Sequence, residues 1–124
     1  MLRTWNGDEI IVYTDYSGRS DQVAYLAVTV DPLGRQHVYD YDTKIVSSKY
    51  SYDNRFTEGE LKGVPWAMRN FPRARILTDC RYAVREADSD LVDYIPGHSG
   101  YPGNEHADHL AKYGYLNPDY GRSW

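Results

Sequence analysis

Residues 9–16 read E-I-I-V-Y-T-D-Y, an apolar run on both faces of an extended chain that ends beside an acid. β-Branched and aromatic side chains pointing both ways suit a strand covered on its two faces, so this segment predicts the buried centre of a sheet. Asp15 stands at its C-terminal end. The flanking segments decide the neighbours. S-G-R-S-D-Q (17–22) reads as a turn, V-A-Y-L-A-V-T-V-D (23–31) as a second strand, and D-P-L-G-R (31–35) as a turn with Pro and Gly at favoured positions. Residues 36–46 return as a third strand. Such short connections make the three an antiparallel meander.

Residues 47–56, S-S-K-Y-S-Y-D-N-R-F, are polar and aromatic and read as a loop. Thr57-x-x-Glu60 matches a capping box, and Leu61, Val64, Met68 and Phe71 fall on one helical face. A helix opening near Thr57, with Glu60 in its first turn, is the expectation. Gly63 and Pro65 lie inside it; Pro65 removes a backbone bond to Leu61, which predicts a kink, or even a helix that starts at Pro65 and leaves Glu60 in a loop. A-R-I-L-T-D (74–79) is a fourth strand, 80–87 a short helix and L-V-D-Y-I-P (91–96) a fifth strand. The Gly- and Pro-rich loop 97–103 opens a last helix at Asn104, with Ala107, Leu110 and Ala111 inward and Gly114 as its stop. The tail Y-L-N-P-D-Y-G-R-S-W is expected to pack on the surface or fray. The pattern predicts one α/β (α+β) domain over residues 1–124. Its mixed sheet has five strands in the order 3-2-1-4-5, the second antiparallel, flanked by helices.

A chain of 124 residues is long enough for one real core. Hydrophobic content of 41% and charged content of 26% are ordinary, whereas 13 tyrosines are not. Tyr supplies apolar area with a polar tip, which suits the boundary of a small core. A single cysteine, Cys80, excludes an internal disulfide, fits a reducing compartment and reads as a small core residue. No apolar run approaches a membrane span, and M-L-R-T-W-N-G-D lacks the apolar stretch of a signal peptide, so a soluble, cytoplasmic protein is expected. The net charge of −4 argues against a general basic grip on nucleic acid. It leaves open a site whose acids hold cations, which would cancel part of their charge locally.

The predicted topology gathers acids. Strands one and four are parallel, so Asp15 and Asp79 would end one strand spacing apart, roughly 5 Å. The helix carrying Glu60 starts from that edge. The fifth strand's loop brings His98 there, and the last helix brings Asp108, at the edge where open α/β sheets place ligands. Four converging carboxylates cannot all stay ionised without a cation, and a pair of Mg²⁺ ions would resolve the repulsion. Glu58 competes with Glu60, but two residues of helix turn it about 200° away. His106 and His109, with no cysteine near, read as exposed rather than as zinc ligands.

T-D-x-S-G after an apolar strand, Glu-Leu in a helix, L-T-D-x-x-Y at a strand end, and G-H-x-G-x-x-G-N-x-x-A-D-x-L-A together resemble ribonuclease H of type 1, over residues 9 to 114. The last motif is the most specific part. The resemblance implies a ribonuclease H-like fold and an endonuclease that cuts the RNA strand of an RNA/DNA hybrid by a two-metal-ion mechanism. It implies Asp15, Glu60, Asp79 and Asp108 as ligands of two Mg²⁺ ions, with Mn²⁺ as a substitute, and His98 as an assistant to water activation or product release. Asp15 would bridge the ions, Glu60 and Asp79 completing one shell and Asp108 the other. Ser17, Gly18, Asn54, Arg55, Arg81 and Tyr82 are the substrate-binding candidates of a monomer with no evident protein partner.

The chain departs from that family in three ways. The stretch from Asp79 to Asp108 is short and lacks the basic handle that often clasps the hybrid. Gly63 and Pro65 interrupt the first helix, and the turn after Asp15 is short. Arg81 also stands where an amide side chain is more common. Two other readings share the residues: a DNA nuclease of the same superfamily (junction resolvase or transposase-like), and a non-catalytic module that binds nucleic acid or protein.

Overall fold

The computed structural model describes residues 4–5, 8–47 and 52–124, with side chains over 9–47 and 57–124. A mixed sheet is built from β2 (Asp8–Ser17), β3 (Gln22–Val30), β4 (Gln36–Ile45), β5 (Arg75–Thr78) and β6 (Val92–Tyr94). Its order is β4-β3-β2-β5-β6, the one expected from the sequence. β3 runs antiparallel to both β2 and β4, whereas β5 and β6 run parallel to β2. A further strand, β1 (Thr4–Trp5), pairs antiparallel with the start of β2; two residues are too few for a hydrophobic period to reveal.

Both faces of β2 and β3 are covered, as their unbroken apolar character requires. Ile10 and Val12 of β2, with Tyr25, Ala27, Ile76 and Val92, pack against Val64, Ala67 and Phe71 on one side. Tyr13, Leu26 and Val28 pack against Ala107, Leu116 and Trp124 on the other. Hence α1 (Tyr52–Asn70) and α2 (Arg81–Ala87) cover one face, and α3 (Pro102–Tyr113) with the tail covers the other. Alternation along a strand sends even and odd residues of β2 to different layers.

The first helix departs from expectation at its start. It begins at Tyr52, so residues 52–56 are helical rather than loop, Thr57 lies inside the helix instead of capping it, and Glu60 sits in the third turn. The stretch Y-D-N-R-F holds neither Gly nor Pro, so nothing in it stops a helix already held by packing further along. The helix also runs on through Pro65. Pro65 is exposed, so water can satisfy the Leu61 carbonyl that it leaves without a donor.

The buried stripe of α1 is rotated from the expected one. Gly59, Glu60, Gly63, Val64 and Ala67 are buried, whereas Leu61 and Met68 only flank the core. The glycines explain the rotation. A Cβ at Gly59 would lie 2.1 Å from the Tyr16 ring, and one at Gly63 would lie 2.3 Å from Val23 Cγ2. They permit close approach of helix to sheet, and a period read from large apolar residues does not register them.

α3 starts at Pro102 rather than Asn104, since proline is pre-set for the first helical position. It stops at Gly114, whose φ of 82° lets its N–H donate to the Leu110 carbonyl. The tail is ordered, not frayed. Val38 N–H donates to the Arg122 carbonyl, and Gln36 and Trp124 exchange backbone bonds, so the tail pairs with part of the β4 edge. Among the described residues, no helix is long and apolar enough to cross a membrane.

Candidate metal centre

The parallel pairing of β2 with β5 sets Tyr13 beside Leu77. Two residues further on, Asp15 and Asp79 reach the same sheet edge. Glu60 comes to it from the buried face of α1. One carboxylate oxygen from each of the three lies within 4.8 Å of the others. Asp15 and Glu60 are both only 6% exposed.

Their orientation is fixed by neighbours. The Tyr16 N–H donates to Asp15 Oδ1 at 2.8 Å, and the Thr78 hydroxyl donates to Glu60 Oε2 at 3.2 Å. Thr78 Oγ1 in turn accepts from the Cys80 N–H at 3.1 Å, tying the Glu60 contact to the turn that carries Asp79. Buried Asn104 lowers the Asp79 pKa, although its Nδ2 finds no acceptor of ordinary hydrogen-bond geometry.

Electrostatics make the cluster costly as it stands. Burial, then the charges of Glu60, Asp79 and Asp108, hold Asp15 well above the carboxylate range, against the Tyr16 N–H. Burial and the charge of Asp79 push Glu60 up to about 8, while Asp15, Thr78 and the Tyr16 backbone pull the other way. Asp79 is raised as well, by burial and Asp108, with His98 opposing. Like charges in low dielectric cannot all be kept, so the site either retains protons or takes up a cation. A cluster of this kind can hold a metal ion.

A second group adjoins it. His98, Glu105 and Asp108 also offer ligand atoms within 4.8 Å of one another. His98 is exposed and sits at φ 55°, between Gly97 and Ser99-Gly100. Asp108 is bound by Lys112 Nζ at 3.0 Å, one helical turn on. The pKa of that ammonium is itself raised by Asp108. All five predicted catalytic residues thus border one cleft of about 460 Å³.

The other candidates divide. Ser17 and Gly18 line the cleft, joined by Arg19 and Thr57. Arg81 and Tyr82 are exposed on α2 and do not line it; Arg81 lies over the Tyr94 ring at 4.2 Å, and Arg85 over the Tyr82 ring. The side chains of Asn54 and Arg55 lie outside the described residues. Glu58 is turned from the cluster and pairs with Lys62 at 3.3 Å.

The two histidines of the last helix differ from expectation. His106 is fully buried, not exposed: its ring stacks on Trp124 at 4.8 Å and meets Tyr120 edge-on at 5.0 Å. His109 is half-buried, with Nδ1 2.9 Å from the Tyr115 carbonyl. Glu105, which sequence reasoning did not single out, shares the second group. Its signal was in the sequence, because three residues of helix from 105 to 108 return to the same face. Thr78 and Lys112 were passed over, since a strand-end Thr and a helical Lys carry no mark of a site.

The chain matches no protein-family model, and no curated protein is significantly similar to it.

Proposed function

We propose that this chain has a ribonuclease H-like fold and is a divalent-cation-dependent endonuclease that hydrolyses the RNA strand of RNA/DNA hybrids. The observation that carries the reading is the convergence of Asp15, Glu60 and Asp79 within 4.8 Å at one sheet edge, with Asp15 and Glu60 buried and protonation-prone. The order of these acids along the chain, and the G-H-x-G-x-x-G-N-x-x-A-D run, support the same reading.

The donor set fits the proposed ions. The first group is all oxygen, which suits Mg²⁺ or Mn²⁺ rather than zinc. Asp15, Glu60, Asp79 and Asp108 would hold a pair of them, and the charges of the other three all bear on Asp15. Bound there, the cations supply charge stabilisation for a phosphodiester under attack by water.

The chain's own groups do the rest. Thr78 and the Tyr16 N–H hold the Glu60 and Asp15 carboxylates in place. Arg19 and Lys112 line the cleft and offer charge to phosphate oxygens. His98, exposed on its loop, can take a proton at the imidazole as product forms and return it to solvent. The 2′-hydroxyl, donor and acceptor at once, is what separates the RNA strand from DNA at such a site. Cys80 as a free thiol fits a reducing cytoplasm.

The test is a cleavage assay with Mg²⁺ or Mn²⁺ on labelled hybrid, duplex DNA, duplex RNA and branched DNA. The RNA strand of the hybrid should be cut. Asp15→Asn and Asp79→Asn should each lower the rate more than about a hundredfold, the upper end for losing even an outer-shell partner of a metal site. Cleavage of branched DNA alone would transfer the proposal to resolvase- or transposase-like chemistry. Cleavage untouched by both substitutions would remove the nuclease reading.

A further inference from the structure

Beside the acidic cleft lies a second depression, a groove of about 410 Å³ between the end of β4 and the outer side of α1. Its charged lining is Lys44, Lys62 and Arg69, with Ile45, Val46 and Pro65 as apolar floor, and no acid lines it. In a chain of net charge −4 this is an unusual concentration of one sign. Among the described residues, no carboxylate pairs with Lys44 or Arg69 within 4.0 Å. Lys44 instead sits over the Trp66 ring at 6.0 Å. Lys62 is held by Glu58 and by the Val46 carbonyl, at 3.3 Å each, which anchors the groove's middle.

The groove and the cleft are lined by neighbouring residues of α1. Thr57 and Glu60 border the cleft, and Leu61 and Lys62, the next residues of the same helix, border the groove. The Val46 N–H donates to the Asp21 carbonyl at 2.9 Å, so the end of β4 abuts the β2–β3 turn whose Gly18 and Arg19 line the cleft. A polyanion that reached from the cleft into the groove would leave Arg19 and meet Lys44, Lys62 and Arg69.

We infer that this groove is a binding track for a nucleic-acid phosphodiester backbone, gripping the strand that is not cut while the other lies over the acids. The inference rests on the nuclease reading for which strand lies where, but not for the grip itself. The occupant follows from charge: Lys44 and Arg69, which no carboxylate among the described residues pairs, stand on an apolar floor and attract a chain of phosphates, and each phosphate neutralised releases counterions. It also accounts for how a chain without a basic handle can hold a duplex.

The experiment measures equilibrium binding of a labelled RNA/DNA hybrid to the Asp15→Asn protein across a range of salt concentrations. Comparison is with the same protein carrying Lys44→Ala and Arg69→Ala, and with an Arg85→Ala control on α2. The paired substitution should lower the slope of log affinity against log salt by about 2, with the control unchanged. A second variant, Lys44→Gln with Arg69→Gln, keeps a polar side chain with part of the aliphatic stem, and matched melting temperatures show that the fold is intact. An unchanged slope in both paired variants, or no binding of hybrid by the parent at low salt, overturns the inference. Because binding is read without cleavage, groove-dependent hybrid binding in a chain whose unsubstituted form cuts no hybrid with Mg²⁺ or Mn²⁺ would sink the nuclease reading and leave the grip standing.

Discussion

Thr78 shows how much one uncharged side chain contributes to the site. Its hydroxyl is fully buried, donates to Glu60 and accepts from the Cys80 N–H. Thr78→Val keeps the shape and removes both bonds, leaving the part-buried Cys80 N–H and a buried carboxyl oxygen short of a partner. A loss of about 1–3 kcal/mol in stability is expected, read by urea unfolding, together with weaker divalent-cation binding measured by calorimetry. An unchanged cation affinity would reduce Thr78 to a packing residue. At this scale the sequence was informative about acids and silent about what holds them. Asp15 and Asp79 stand out because each ends an apolar strand. Glu60 was found partly through a capping box that the helix does not use. His106 reads as exposed because its neighbours in sequence are polar, while the rings that bury it, Tyr120 and Trp124, come from the chain's end.

The elements follow from short-range pattern wherever one face is apolar and regular. The meander, the parallel return of β5 and β6, and the stop at Gly114 were all legible, because turn chemistry and strand composition act locally. The start and the buried face of α1 were not, because they depend on how closely a helix can approach a particular pair of strand residues. Gly63 is the clearest case. Alanine there improves helix propensity by about 1 kcal/mol, yet its Cβ would meet Val23 Cγ2 at 2.3 Å. The clash should win: Gly63→Ala is expected to lose about 1–3 kcal/mol net in chemical denaturation. A stabilised variant would mean that the helix can back away from the sheet at no cost. The tail offers the complementary test on the other face. Trp124 covers His106 and pairs through its backbone with Gln36. Trp124→Ala should cost about 2–4 kcal/mol and expose the His106 ring, which an upward move of its titration in NMR would report.

Across the whole molecule, the acidic edge sets how stability varies with pH. Glu60 has an ordinary value of 4.5 and is pushed up to about 8 in the fold, first by burial and then by Asp79. Asp15 is shifted in the same direction, by burial and by Glu60. Between those values the folded chain keeps protons that the unfolded chain has released, so stability must fall as pH rises through the window. Asp31 acts oppositely at the acid end. His37, and then neighbouring N–H groups, hold it well below its ordinary 3.8, so its contribution is lost only as pH falls beneath that value. The cation-free protein should therefore be most stable near pH 5 and lose a few kcal/mol by about pH 8 to 9, an order-of-magnitude figure from the size of the Glu60 shift. Glu60→Gln should flatten that decline. Divalent cation at about a hundred times its dissociation constant should restore about 2.7 kcal/mol, and the apparent affinity should rise with pH as protons cease to compete. Urea midpoints at several pH values, with chelator or with Mg²⁺ or Mn²⁺, read all three effects together. A flat profile in chelator would mean that the acids are not close enough to share protons, and with that the basis for cation binding at this edge would be gone.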